Sequence, residues 1–137
     1  MRNPSILLVD DDEVYIYVTK KILANMSDDI SVKSFNDGER AIEFIQTCTQ
    51  ENNPLPGVIL LDINMPYLDG WGFLSEFKKL VPKLAEREVN IYMVTSSNDP
   101  HDMERAKEFE QVTGYVVKPV FEDKLAEILT DVYDENW

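Results

Sequence analysis

Short apolar runs alternate with longer stretches of helical period five times along the chain. No other feature restricts the fold as much. Ser5-Ile-Leu-Leu-Val9 is continuously apolar, as expected of a strand buried on both faces. Val14, Val18, Ile22 and Met26 then recur every fourth residue and predict a helix with these residues as its core stripe. Ile30–Phe35 alternates as a second strand, and Ala41, Phe44, Ile45 and Cys48 mark one face of a helix after Asp37-Gly38. Gly57–Leu61 is a third strand. Trp71, Leu74, Phe77 and Val81 predict a third helix, which Pro82 should stop. Val89–Val94 makes a fourth strand, followed by a weakly patterned helix over Asp99–Glu110 with Met103, Ala106 and Phe109 inward. Gly114–Val117 is a short fifth strand, and Phe121, Leu125, Ile128, Leu129 and Val132 form a final stripe. Five such units predict an α/β domain: a five-stranded parallel sheet, helices on both faces, doubly wound. The connections Thr47–Pro56 and Pro82–Glu88 are longer surface excursions, the second long enough for an extra helical turn.

A chain of 137 residues is one domain's worth. Lys and Arg total 13 against 26 Asp and Glu, a formal charge of −13, which repels a phosphate backbone and argues against nucleic-acid binding. No apolar run approaches the ~18 residues of a membrane span, and the N-terminus lacks the apolar stretch of a secretory signal. Cys48 is the single cysteine, which excludes an intrachain disulfide and a cysteine-based zinc cluster and fits a reducing cytosol.

Polar residues collect just past the strand ends. Asp10 and Asp11 follow the first strand, Asp62 the third, Thr95 the fourth and Lys118 the fifth. In doubly wound sheets, ligands bind beyond the carboxyl ends of the strands, where the strand order reverses. For the order 2-1-3-4-5 that point lies between strands one and three, so Asp10, Asp11 and Asp62 face one another there. At about 4 Å, each carboxylate pair costs about 1–4 kcal/mol, a repulsion that a divalent cation relieves. An open, all-oxygen site favours Mg²⁺ or Mn²⁺ over zinc. With the Lys118 ammonium and the Thr95 hydroxyl, these are the parts needed to move a phosphoryl group. Taken singly, Asp10–Glu13 is equally readable as the acidic start of a helix, Asp62 as a turn residue, and Thr95 and Lys118 as ordinary strand-end residues. Their joint placement on one sheet edge carries the functional reading.

At these residues the sequence resembles the receiver domains of two-component response regulators. The matching segments are Ile-Leu-Leu-Val9-Asp10-Asp11, Leu61-Asp62-Ile-Asn64-Met65-Pro66-Tyr-Leu-Asp69-Gly70, Val94-Thr95-Ser96 and Gly114-Tyr115-Val-Val-Lys118-Pro119. The resemblance spans Ser5 to about Val132. It implies a flavodoxin-like fold and one receiver domain over residues 1–137, standing alone without an output domain. It implies that Asp62 accepts a phosphoryl group from a histidine kinase or phosphotransfer protein, so that the chain catalyses only its own phosphorylation and dephosphorylation. Asp11, Asp62 and the Asn64 backbone carbonyl would bind Mg²⁺ (or Mn²⁺), and Asp10 would act through water. Thr95 would bond a phosphoryl oxygen, and Lys118 would pair with the carboxylate or the phosphate. The Lys118–Pro119 bond would be cis, and Thr95 with Tyr115 would form the switch. The implied protein is cytoplasmic, a monomer or weak homodimer, touching neither nucleic acid nor membrane. Its output surface for an unknown protein target would run over residues 99–132. Ser96, where Ala or Gly is usual, and Val120, where Phe is frequent, depart from the pattern without touching the phosphorylation chemistry.

Three other readings fit less well. A phosphatase of the haloacid-dehalogenase class would use Asp62 as nucleophile with Mg²⁺, but it needs a second Asp where Asn64 stands. An EF-hand loop starting at Asp10 fails because Val14 and Tyr15 occupy its fifth and sixth positions. A flavodoxin-like cofactor binder wants a phosphate-cradling loop where this chain is acidic. His101 reads as a solvated helix start, Cys48 as helix packing and Trp71 as packing where the third helix begins.

Overall fold

The computed structural model describes residues 3–84, 87–96, 99–134 and 137. Five strands alternate with five helices: β1 (Ser5–Val9), α1 (Glu13–Met26), β2 (Ser31–Phe35), α2 (Gly38–Gln50), β3 (Val58–Leu61), α3 (Gly70–Leu80), β4 (Asn90–Thr95), α4 (Pro100–Lys107), β5 (Val112–Val117) and α5 (Glu122–Tyr133). All four strand pairings are parallel, and the strand order is β2-β1-β3-β4-β5.

Alternation along the strands divides the interior into two layers. Leu7, Val9, Ile59, Leu61, Ile91 and Met93 point to one face and pack under α2, α3 and α4 through Ala41, Ile45, Phe73, Phe77 and Ala106. Ile6, Leu8, Val58, Leu60, Tyr92 and Val94 point to the other and meet Leu23 of α1 and Leu125, Ile128 and Leu129 of α5. Each fully buried Leu or Ile contributes about 1.5–3 kcal/mol, so the two layers hold the sheet rigid beneath its carboxyl edge.

Four helices start on aspartate caps. The side chains of Asp12, Asp37, Asp69 and Asp99 accept backbone N–H groups at the starts of α1, α2, α3 and α4. α5 begins without a side-chain cap, at Phe121.

The structure corrects several expectations. Val14 and Val18 do not line the core: they are 72% and 46% exposed, and the buried residues of α1 are Thr19 and Leu23. α1 is apolar around most of its circumference, so the sheet selects a face that the four-residue spacing did not single out. Phe121 sits at the extended position before α5 and is exposed, and Met103 and Val81 are also exposed. α3 ends at Leu80, and the chain passes through a single 3-10 turn at Val81–Lys83, the extra turn expected of that connection. Ala85 and Glu86, within the same connection, lie outside the described residues. α2 continues to Gln50, which shortens the first excursion, and α4 is shorter than the expected Asp99–Glu110. β5 starts earlier than Gly114. The pairing steps from Ile91–Val112 to Tyr92–Gly114, so Thr113 is an extra residue that hides the first part of the strand from an alternation test.

Candidate functional site

Strand register builds the site. Val9 pairs with Leu61, so Asp10 and Asp62 leave β1 and β3 from the same rung, and the Asp62 N–H donates to the Val9 carbonyl at 2.9 Å. Thr95 pairs with Val117 at the ends of β4 and β5, and the following Lys118 N–H donates to the Thr95 carbonyl at 2.8 Å. All four elements thus deliver their polar residues to one edge.

The three consecutive aspartates have three different positions. Asp10 is 1% exposed, accepts the Asp12 N–H at 2.9 Å, and forms an ion pair with Lys118 Nζ at 2.7 Å. Asp11 is exposed on the rim. Asp12 turns away and caps α1, accepting from the Val14 and Tyr15 N–H groups at 3.1 Å each. Of the three aspartates only Asp12 therefore has the helix-start role that the sequence left open for Asp10–Glu13, with Glu13 in the first turn of α1. Asp10, Asp11 and Asp62 each offer one oxygen to a common position, these atoms lying within 4.8 Å of one another.

Burial dominates the electrostatics. Asp62 is 6% exposed, and desolvation, reinforced by the charge of Asp10, pushes its carboxyl up to about 6. Lys118 and a hydrogen bond from the Asn64 backbone N–H pull the other way without cancelling that rise. Burial also raises Asp10, against the pull of Lys118. An all-carboxylate donor set with two buried members, both raised by burial, and one side open to water suits a hard divalent cation with water completing its shell.

A family model described as the response regulator receiver domain matches residues 6–130. The chain belongs to the response regulator receiver domain family. Response regulator Rcp1 of Synechocystis sp. is 32% identical over 114 residues, covering 82% of this chain and 75% of Rcp1. A two-component response regulator from Cytophaga hutchinsonii superimposes with a TM-score of 0.83 at 28% identity, over 98% of this chain and all (100%) of that one. The Mn²⁺-bound form of Rcp1 superimposes with a TM-score of 0.74 at 26% identity, over 95% of this chain and 94% of that one. Receiver domains are signalling proteins of two-component systems, and membership implies a phosphodonor partner such as a histidine kinase.

Of the residues singled out from the sequence, Asp10, Asp11, Asp62 and Lys118 converge; the others take the following places. Thr95 is fully buried at the end of β4, and Tyr115 is half-buried against the layer under α2, α3 and α4. Asn64 is exposed two residues past Asp62, and the Lys118–Pro119 bond is cis. His101 is exposed at the start of α4, and Cys48 is buried in α2. Trp71 is buried at the start of α3, stacked on Phe109 with ring centroids 6.1 Å apart, and the Arg105 guanidinium lies 4.5 Å from its ring centroid.

Two further residues shape the site, of which the sequence marked only Gly70, within the matching segment Leu61–Gly70. Tyr15 places its ring under Lys118 Nζ at 4.4 Å, while burial and the charge of Asp10 push its phenol up. It lies one helix position past Val14, and the four-residue spacing of α1 does not single it out. Gly70 is the other: a Cβ there would lie 2.6 Å from the Asp62 carbonyl oxygen and 2.8 Å from Ile63 Cα. The loop after Asp62 closes on its own base only because residue 70 has no side chain.

Proposed function

We propose that this receiver domain takes a phosphoryl group onto Asp62 from the phosphohistidine of a histidine kinase or phosphotransfer protein. The observation that carries the reading is the convergence of Asp10, Asp11 and Asp62 on one position beside Lys118. An Asp62 oxygen attacks phosphorus in line, and the P–N bond to imidazole breaks with its electron pair leaving on nitrogen. At pH 7 a carboxyl at about 6 is mostly ionised, so the nucleophile is available. Lys118, already paired with Asp10, follows the new negative charge, and the Thr95 hydroxyl donates to a phosphoryl oxygen.

Asp11, Asp62 and the Asn64 carbonyl are assigned as ligands for Mg²⁺, with Asp10 acting through water; Mn²⁺, which the Rcp1 structure holds, is the alternative. A cation held there would neutralise the crowded carboxylates and shield the phosphoryl oxygens. We further assign Thr95 and Tyr115 as the pair that reports phosphorylation to a face made of α4, β5 and α5. α4 buries only Ala106, so displacing it costs little packing. A charge of −13 favours a protein target over DNA, and a cytoplasmic monomer or weak homodimer fits this role.

Incubation with acetyl phosphate and Mg²⁺ tests the assignment. One hydroxylamine-labile phosphoryl group is expected on the wild type and none on Asp62→Asn. Undiminished labelling of the variant would overturn it.

A further inference from the structure

Among the described residues, three that are not glycine have positive φ: Asn52 at 55°, Tyr67 at 68° and Asp134 at 55°. Asn and Asp tolerate the left-handed region through their short polar side chains, and Asn52 and Asp134 follow the ends of α2 and α5. Tyr67 has no such excuse. Its Cβ meets the steric penalty of that region, and the ring recovers nothing from the fold. It is 91% exposed and makes no hydrogen bond, ion pair or ring contact with another described residue.

Its neighbours impose the conformation. The Gly70 N–H donates to the Ile63 carbonyl at 2.8 Å and closes the base of the loop that begins at Asp62. Asp69 caps α3 through the Gly72 N–H at 2.8 Å. Leu68 is wedged so tightly that a Cβ on Gly38 would lie 2.6 Å from its carbonyl oxygen, and one on Gly72 2.5 Å from its Cδ1. A loop closed at its base thus presents an unsupported aromatic ring in the segment that leads away from Asp62.

We infer that Tyr67 is an anchor for the protein that delivers the phosphoryl group to Asp62, a positioning residue recognised by an apolar surface next to the donor's phosphohistidine. The inference rests on the phosphoacceptor role proposed above. A donor protein reaching Asp62 must approach the edge at which this loop begins, whereas a small phosphodonor need not touch its tip. Tyrosine offers a large contact area for two side-chain torsions and is enriched among residues that dominate interfaces. Holding the ring in place before contact lowers the ordering cost of association.

Three variants test it: Tyr67→Gly, Tyr67→Asn and Tyr67→Phe. Acetyl phosphate with Mg²⁺ should label all three at the wild-type rate. With an autophosphorylated kinase domain chosen from a purified panel because it labels the wild type, transfer should fall roughly tenfold or more for Gly and Asn. Phe should keep most of the rate. The thermal midpoint of Tyr67→Gly should equal or exceed that of the wild type. Wild-type kinase transfer to Tyr67→Gly, an equal loss with acetyl phosphate, or a Phe variant as slow as Gly would each overturn the anchor. So would a wild type labelled by acetyl phosphate but by no kinase in the panel. Failure of acetyl phosphate to label the wild type would instead refute the phosphoacceptor role itself.

Discussion

Replacing Asp62 by asparagine should make the metal-free protein more stable, although it removes the proposed phosphoacceptor. Asp62 is buried next to Asp10, and its carboxyl rises from 3.8 to about 6 on folding. A shift of about two units at 1.36 kcal/mol each is a penalty of about 3 kcal/mol once the group is ionised. That penalty is already net of the attraction of Lys118; asparagine keeps the shape and can still accept the Asn64 N–H, so a gain of about 1–3 kcal/mol is expected. For a domain of this size that is an increase of about 3–10 °C in Tm.

The pH dependence carries the sign. A carboxyl whose folded pKa is raised costs nothing below the unfolded value of 3.8 and its full penalty above about 6. Wild type and Asp62→Asn should therefore unfold together near pH 4 in EDTA and separate progressively up to pH 7.5. Circular dichroism melts across that range provide the comparison. Added Mg²⁺ should narrow the gap at pH 7.5, because it binds the native wild type and relieves the same repulsion. An asparagine variant no more stable than wild type at pH 7.5, or a gap that does not change with pH, would refute the reasoning.

Three further outcomes follow from the same geometry. Asp12→Ala should lose an α1 cap at a cost of about 0.5–2 kcal/mol in urea unfolding, while Mg²⁺ titrations followed by amide shifts stay at wild-type affinity; Asp11→Ala should do the reverse. Lys118→Ala strands the buried Asp10 carboxylate and should cost about 1–3 kcal/mol at pH 7.5 by urea unfolding, a loss that shrinks on acidification because the raised Asp10 takes up its proton. Gly70→Ala should cost about 1–3 kcal/mol or more, read as a lower urea midpoint at unchanged slope, because its Cβ meets the backbone of Asp62 and Ile63.

The sequence by itself determined the layer architecture and the position of the site. β1 and β3 are buried on both faces, so they had to be continuous apolar runs. In a parallel sheet, the residues just past such runs all emerge at one edge, which made Asp10, Asp62, Thr95 and Lys118 legible as a group before any coordinates. Tertiary structure decided what local pattern leaves open. Helical period names candidate stripes, but in α1 Val14, Tyr15, Ile16, Tyr17, Val18, Ile22 and Leu23 occupy most of the circumference, and only docking on the sheet chose Leu23 over Val14 and Val18. Three adjacent aspartates are chemically identical in sequence. The turn from β1 into α1 made one a buried ion-pair partner, one a rim carboxylate and one a cap. The ring of Tyr15 under Lys118 and the left-handed backbone of Tyr67 are likewise products of closure. The first depends on Lys118, far along the chain, and the second accompanies the loop closure made by Gly70 on Ile63; sequence periodicity carries no information about such contacts.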